Sequence, residues 1–203
     1  MLSLFEIKPI RNIKLRKIAK QVRAGILPKG VSQEEVVEAL KATVPKNTME
    51  YYGLFSAVIE RANGSKEDLG LVSCKSVTLQ FCEHLVDYMA QTVATNLNDY
   101  NQHKMGSGST AAATGDTALV AAMSGAQAAG GLTAATHGAT SIVYRSIGTV
   151  TSTYGTDTQV REHGIFNRST GGYLLDRSTV AAIAIEIDDV ITWTYDLTIV
   201  TGG

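Results

Sequence analysis

Histidines and carboxylates are the residue types in this chain that are best suited to catalysis or metal binding. The four histidines are His84, His103, His137 and His163. None of them has a second potential ligand at helical or tight-turn spacing, so the sequence predicts no metal site. Glu162 and His163 are neighbours in a predicted strand, where their side chains should point to opposite faces. We interpret His163 as a buried structural histidine rather than a catalytic one.

Motifs of known enzyme classes do not occur in the sequence. Gly106-Ser107-Gly108 is not followed by the Gly-Lys-Ser/Thr of a phosphate-binding loop. A glycoside hydrolase would need two carboxylates about 5–10 Å apart in a cleft, whereas turns and strand edges account for most acids of the C-terminal half. We therefore expect no catalytic residue, no cofactor and no metal. Cys74 and Cys82 lack zinc-ligand spacing, and we expect two free, buried thiols.

The N-terminal segment carries a concentrated positive charge. Eight of the eighteen basic residues lie in it, and no acid occurs between Glu6 and Glu34. They are Lys8, Arg11, Lys14, Arg16, Lys17, Lys20, Arg23 and Lys29. From Gly30 onward the chain has ten basic and eighteen acidic residues, a net charge of −8. A basic arm on an acidic body is typical of an interaction surface, for nucleic acid, an acidic protein or a neighbouring copy. A solvated helix face is the alternative, but we expect the seven basic residues from Lys8 to Arg23 to dock a partner.

Composition divides the chain into three segments, at about residues 1–46, 47–100 and 101–203. The first is predicted to be a basic helical arm, with a helix from Asn12 to Arg23 and a second helix that starts at the capping box of Ser32 and Glu35. The second is predicted to be a hairpin, with strands at 51–59 and 69–75, and a helix at 77–96, which pack on the third segment. That helix has an apolar stripe. The stripe consists of Leu79, Cys82, Val86, Met89 and Val93.

The third segment is rich in β-branched residues and turn signals. Strands are predicted at 141–153, 159–166, 178–187 and 190–200, with turns at 170–172 and 188–189. The stretch 105–110 is predicted to be a flexible loop, and 125–138 is a small-residue stretch without a defined register. The predicted fold class is therefore α+β: an N-terminal helical arm and a mixed segment, followed by an antiparallel β-sandwich that is jelly-roll-like.

Three motifs of the C-terminal half resemble a family of tailed-bacteriophage virion structural proteins. They are GSGSTAAATGDTAL at 106–119, EHGIFN at 162–167 and GGYLLDRS at 171–178, followed by the strand ITWTYDLTIV at 191–200. Members of that family have a GTGxT…GDTAL loop, an EHG(I/L)F strand, a DR(S/T) strand start and a final FTYxLT(I/L) strand. The resemblance covers about residues 69–203 and leaves out the basic arm. Ser107 departs from the family pattern.

The resemblance implies a virion component with a β-sandwich domain and no catalytic residues, in which the motif residues have structural roles. These residues are His163, Gly164, Phe166, Asp176, Arg177, Trp193 and Tyr195. Phe166 and Trp193 are expected to fill the core. Asp176 and Arg177 are expected to tie strand ends, through an ion pair or turn clamp with Arg145, Arg161 or Glu162. Tyr195 is expected to bury its ring and to form a hydrogen bond at a rim, and Gly164 to adopt a backbone geometry that other residues disfavour.

These observations lead to a non-enzymatic structural protein, made in the host cytoplasm and assembled into the virion. The first hypothesis is an accessory or cement protein that decorates the capsid exterior. The alternative is a neck or tail component, an adaptor or fibre base on the portal–tail machinery. Partners would be the major capsid protein or portal and tail proteins, and further copies of the chain, because a lone sandwich leaves strand edges open. Nucleic acid is not an expected partner, since the acidic body repels DNA. No membrane is expected either, because no apolar run approaches the ~20 residues of a span.

Overall fold

The computed structural model describes residues 4–45, 48–93, 96–137, 141–155 and 157–201, and it describes no side chains at 4–12, 98, 133–137 and 141–142. The helices are α1 (Leu4–Arg23), α2 (Gln33–Lys41) and α3 (Leu79–Met89), with a short 3₁₀ helix at Leu97–Asp99. The strands are β1 (Met49–Glu60), β2 (Lys66–Ser76), β3 (Gln102–Gly106), β4 (Ala122–Ala129), β5 (Gly131–His137), β6 (Ser141–Thr151), β7 (Thr158–Phe166), β8 (Leu174–Ile185) and β9 (Val190–Thr201).

The strands form two antiparallel sheets. Sheet A has the order β2-β1-β9-β6-β5, and sheet B has the order β4-β3-β7-β8. Successive hairpins alternate between the sheets, and β9 returns to the centre of sheet A. This confirms the predicted α+β class with two sandwiched antiparallel sheets. β1 and β9 pair over their full length, from Met49↔Thr201 to Glu60↔Val190, so the first hairpin is itself part of sheet A.

The core between the sheets follows from the alternation of residues along the central strands. In β9, Ile191, Trp193 and Tyr195 are fully buried and belong to one apolar cluster with Phe55 and Ile59 of β1. Successive strand residues point to opposite faces, so the intervening residues of β9 face away from sheet B. Burying each large apolar side chain contributes about 1.5–3 kcal/mol, which makes this cluster a main source of stability.

Helices α1 and α2 cover the outer face of sheet A. Leu15, Ile18 and Val22 are buried on one side of α1, in a second apolar cluster that also includes Leu40 of α2 and Leu54 of β1. This spacing is that of an amphipathic helix, as the sequence predicts. α1 begins at Leu4, earlier than the predicted start at 12. The predicted capping box of α2 is confirmed, because Ser32 and Glu35 exchange both of its hydrogen bonds.

Helix α3 is shorter than predicted, and most of its predicted apolar stripe faces away from the protein. It ends at Met89 instead of near residue 96. Phe81 and His84 are buried against the body, whereas Leu79, Val86 and Met89 are exposed. Cys82 is also exposed, so the prediction of two buried thiols holds for Cys74 only. The reason is that both sides of α3 carry apolar residues, and the aromatic side is the one that packs.

Three strands, β3 and β4 of sheet B and β5 of sheet A, were not predicted from the sequence. β3 overlaps the start of the predicted flexible loop, and β4 and β5 occupy the small-residue stretch for which no register was defined. β8 begins at Leu174, four residues before the predicted start at Ser178. Ladder hydrogen bonds hold these segments in register: β3 pairs with β4 and β7, β5 pairs with β6, and β8 pairs with β7. Local residue preferences do not fix this register.

Candidate functional site

The motif residues of the C-terminal half meet in one buried polar cluster around Glu162. Glu162 lies on β7 and is fully buried. Its Oε1 accepts hydrogen bonds from the amides of Gly108 at 3.2 Å and Ala121 at 2.7 Å. Its Oε2 accepts one from the amide of Val120 at 3.1 Å. A single strand carboxylate thus ties both ends of the segment 107–121, hereafter the 107–121 loop, to sheet B.

Arg177 on the adjacent strand β8 clamps the middle of the same loop. Its Nε donates to Oε2 of Glu162 at 2.8 Å, and its Nη1 donates to Oδ2 of Asp116 at 2.9 Å. Its Nη2 donates to the carbonyl oxygen of Thr110 at 2.9 Å. The predicted ion pair between Arg177 and Glu162 is confirmed, and Asp116 is a second partner that was not predicted. Charge-assisted hydrogen bonds of this kind are stronger than neutral ones, particularly when buried.

Two glycines of the first motif are required by the closeness of Glu162. A Cβ atom at Gly106 would lie 2.4 Å from Oε1 of Glu162, and one at Gly108 would lie 2.5 Å from the same atom. A side chain at either position would therefore displace the carboxylate. Gly164 also provides space, because a Cβ there would lie 3.0 Å from the ring of Phe166. Its backbone is not in the left-handed region, so the unusual backbone geometry expected for Gly164 is not found.

The surroundings of Glu162 fit a structural anchor better than an acid or base. Burial raises the pKa of Glu162, but the amide of Ala121 and the guanidinium of Arg177 outweigh burial and hold the pKa below its ordinary value. A general acid needs a raised pKa and must reach the substrate. Glu162 has a lowered pKa, both of its oxygens are engaged, and it is fully buried. The cluster therefore fixes the 107–121 loop on the sandwich.

His103 and His163 form a buried pair between the sheets. Nδ1 of His103 lies 3.3 Å from Nε2 of His163, and Nε2 of His103 lies 2.9 Å from Oγ of Ser146. Burial lowers the pKa of His103 to about 3. Burial also holds the pKa of His163 well below its ordinary value, and the neighbouring imidazole of His103 lowers this pKa further. Ser146 and His103 resemble a nucleophile and its base, but both side chains are 0% exposed and neither is open to solvent.

His163 is a core residue, as the sequence predicts. Its ring centroid lies 4.6 Å from that of Phe55 and 4.4 Å from that of Trp193, both on sheet A. Glu162 points to the opposite face of sheet B and contacts the 107–121 loop. Nδ1 of His163 has no hydrogen-bond partner among the described residues. A neutral imidazole is tolerated at this position, whereas a buried imidazolium would need a partner to offset the loss of its hydration.

Asp176 is buried against the backbone of β1 in sheet A. Its Oδ1 accepts a hydrogen bond from Oγ of Ser178 at 3.0 Å, and its Oδ2 has no partner among the described residues. A Cβ at Gly53 would lie 1.9 Å from Oδ2, so the glycine makes room for the carboxyl group. Burial raises the pKa of Asp176 to about 7, against the hydrogen bond from Ser178. Of the two residues expected to tie strand ends, only Arg177 forms an ion pair in the described chain.

The aromatic motif residues occupy the core. Trp193 is 0% and Phe166 is 5% exposed, as expected for core residues. Tyr195, which we expected at a rim with a hydrogen bond, is instead fully buried. Its hydroxyl has no hydrogen-bond partner within the described part of the chain. The cause is the register of β9, which places Tyr195 on the same inward face as Trp193.

The basic arm is folded onto the protein and leaves only some of its charges free. Nζ of Lys14 lies 2.6 Å from a carboxylate oxygen of Glu35, and the guanidinium of Arg23 lies 2.8 Å from that of Glu50. Such partly exposed pairs contribute about 0–1 kcal/mol each. On α1, the exposed basic residues without a described ion pair are Arg16, Lys17 and Lys20, and Lys29 beyond the helix is a fourth. The side chains of Lys8 and Arg11 lie outside the described residues.

No group of three or more His, Cys, Asp or Glu side chains among the described residues could hold a metal ion. No described helix is both long and apolar enough to cross a membrane.

Comparisons with known proteins add no relative. No family model, no curated protein and no solved structure matches the chain. The resemblance of its motifs to phage structural proteins therefore stays a prediction that rests on the quoted residues.

Two residues of these buried clusters, Ser146 and Asp116, were not predicted as partners from the sequence. His103 and Ser146 lie 43 residues apart in sequence, and only the sandwich brings them together. Asp116 offered a signal, because it belongs to the same set of motifs as Glu162 and Arg177. A set of motifs that share one structural role is expected to meet in space, and this expectation could have identified Asp116 as a partner of Arg177.

Proposed function

We propose that this chain is a non-enzymatic structural component of a tailed-phage virion, and that it decorates the capsid exterior as an accessory or cement protein. The observation that carries the proposal is the cluster of Glu162, Arg177 and Asp116. Each of the three motifs that resemble phage structural proteins supplies one of these side chains. A shared structural purpose explains why the motifs occur together in one chain.

The use of the buried polar groups supports a structural role. Glu162 and Arg177 form their hydrogen bonds with each other and with the 107–121 loop, and the histidine pair is enclosed between the sheets. A rigid sandwich with an anchored surface loop suits a protein that must hold its shape on a particle. A jelly-roll-like relation to other virion proteins is part of the proposal, supported by the hairpins that alternate between the two sheets.

We expect the partner of the basic helix α1 to be another protein of the same virion. Arg16, Lys17 and Lys20 form an exposed basic face on a helix that is held against sheet A. Such a face suits an acidic protein surface, including the acidic body of a further copy of this chain. The neck or tail alternative would use the same face on the portal–tail machinery and differs in the number of copies that each particle holds.

Surface labelling of intact particles tests the exterior position. Purified particles of the encoding phage are treated with an amine-reactive reagent, before and after disruption, and the modified lysines are quantified by mass spectrometry. Lys66 is 66% exposed and lies on β2, outside the proposed docking face on α1, which makes it a suitable reporter. We expect Lys66 to be modified equally in both samples, whereas a protein enclosed with the DNA is modified only after disruption. Modification of Lys66 only after disruption would contradict an exterior position.

A further inference from the structure

One face of α3 leaves apolar side chains in solvent. Leu79, Val86 and Met89 are 58%, 63% and 75% exposed, and Cys82 between them is also exposed. These four residues, hereafter the α3 outer stripe, are spaced three, four and three residues apart and form one row along the helix. Rows with this spacing are the seams through which helices pack on each other. Contiguous exposed apolar surface of this kind marks an interaction site.

The charge beside the α3 outer stripe is negative. Glu83 and Asp87 lie on its flank, and α3 contains no Lys or Arg. Two copies of the stripe packed on each other would bring four carboxylates close together, and like charges at such distances repel. The stripe therefore fits a helix that surrounds an apolar contact with basic residues.

The chain itself carries a helix face of that kind. Ile13, Arg16, Lys17 and Lys20, hereafter the α1 outer face, lie at the spacing of one side of a helix. Ile13 is 68% exposed, and the three basic side chains are also exposed. The opposite side of α1 is buried against α2 and sheet A, so this face is presented outward. It cannot turn onto the α3 of its own chain without leaving that cluster.

We propose that the α1 outer face of one copy covers the α3 outer stripe of a second copy, and that the contact is reciprocal. The end of α1 and the start of α3 are neighbours, since Arg23 and Thr78 line one hollow of about 200 Å³. A two-fold axis beside this hollow lets both helices of each copy take part. A single helix crossing is smaller than the ~1,200 Å² that stable interfaces bury, whereas two symmetric crossings double the area.

This inference rests on the homo-oligomeric part of the proposed function and names the surfaces involved. Its test is sedimentation equilibrium of the purified chain and of three charge variants. Reversal of the arm charges (R16E with K17E) should weaken the dimer by at least about 10-fold, and so should reversal on α3 (E83K with D87K). The two reversals combined should restore the association, because the charges are again complementary.

A neutral-to-charged change tests the apolar contact. Val86→Lys should abolish the dimer, because the new ammonium group would be desolvated against the basic residues of the α1 outer face. Ile187→Lys is the matched control: Ile187 is 59% exposed, lies in the turn between β8 and β9 away from α3, and should leave the dimer unchanged. Circular dichroism checks that all variants stay folded.

Several results would overturn the proposal. One is a wild-type chain that stays monomeric up to about 100 µM. Another is a dimer that is insensitive to both charge reversals and that forms a Cys82–Cys82 disulfide on oxidation, since the two α3 stripes would then pack on each other. The test uses purified protein, so it is separable from the virion assignment. A monomer that is found in particles would overturn only this contact, and a dimer that is missing from particles would overturn only the virion role.

Discussion

Replacing Asp176 by asparagine should change how the stability of the protein depends on pH. The carboxyl group is fully buried, and burial raises its pKa to about 7 from 3.8. A carboxyl group with a raised native pKa stabilises the fold where it is protonated, and this contribution is lost as the pH rises through the native pKa. Asparagine has nearly the same shape and does not titrate. The stability of the variant relative to the wild type should therefore increase as the pH rises.

The magnitude follows from the two pKa values. With a native value of about 7 and an unfolded value of 3.8, the contribution lost between pH 5 and pH 8 is about 2.5 kcal/mol. The difference in unfolding free energy between Asp176→Asn and the wild type should thus be about 2.5 kcal/mol more favourable to the variant at pH 8 than at pH 5. Other titrating groups cancel in this difference, because both proteins contain them.

Urea unfolding of both proteins at pH 5 and pH 8 measures this quantity. Asp189→Asn is the matched control, because Asp189 is also buried but has a pKa held below its ordinary value by the amide of Glu186 and by Arg61, which outweigh burial. Asp189 is ionised in both states at pH 5 and pH 8, so its substitution should have the same effect at both. An Asp176→Asn difference that is equal at the two pH values would refute the argument that Asp176 is neutral in the native core near pH 5.

Three further substitutions test the buried clusters. His103→Gln should make the unfolding free energy less sensitive to acid. His103 has a native pKa of about 3 and an unfolded pKa of 6.5. In the wild type, this residue therefore lowers the unfolding free energy by about 2.5 kcal/mol between pH 7 and pH 4.5. A variant with the wild-type slope in urea titrations over that range would contradict this. Glu162→Gln should lower the unfolding free energy by about 3 kcal/mol and speed hydrogen exchange at the amide of Gly108, because a buried ion pair is broken. Unchanged exchange would mean that the loop is held by something else. Gly106→Ala should lower the thermal midpoint through a cost of about 1–3 kcal/mol, whereas Gly115→Ala, where a Cβ meets nothing within 4 Å, should be neutral; equal effects at both positions would show that crowding by Glu162 is not the cause.

Parts of the fold were predictable because their signals are local. The strand at Met49–Glu60 is rich in aromatic and β-branched residues, and the Asn63-Gly64 turn has a glycine with φ +82 that marks the hairpin. The capping box at Ser32 is likewise written in four consecutive residues. Each of these features depends on the backbone preferences of neighbouring residues, so the sequence alone is enough.

Other parts depend on distant partners. β4 is composed mostly of Ala and Gly, which have low strand preference, and it exists as a strand because it pairs with β3. The orientation of α3 could not be deduced either, because Phe81 and Leu85 on one side compete with Val86 and Met89 on the other. Its aromatic side packs against the sandwich and leaves the α3 outer stripe in solvent.

The candidate site shows the same division. The pairing of Arg177 with Glu162 was among the predicted alternatives, because Arg177 was expected at the entry of a strand, where an ion pair can tie strand ends. The pairing of His103 with His163, 60 residues apart, was not predicted, because β3 itself was not recognised as a strand. The effect of this buried pair on the pH dependence of stability could therefore not be predicted from the sequence.

The number of copies per particle tests the central claim most directly. Quantitative mass spectrometry of gradient-purified particles gives the ratio of this chain to the major capsid protein. We predict a ratio close to one, as for a decoration protein spread over the capsid. A ratio of a few per hundred would contradict the capsid position and favour the neck or tail, and absence from the particles would contradict the structural role itself.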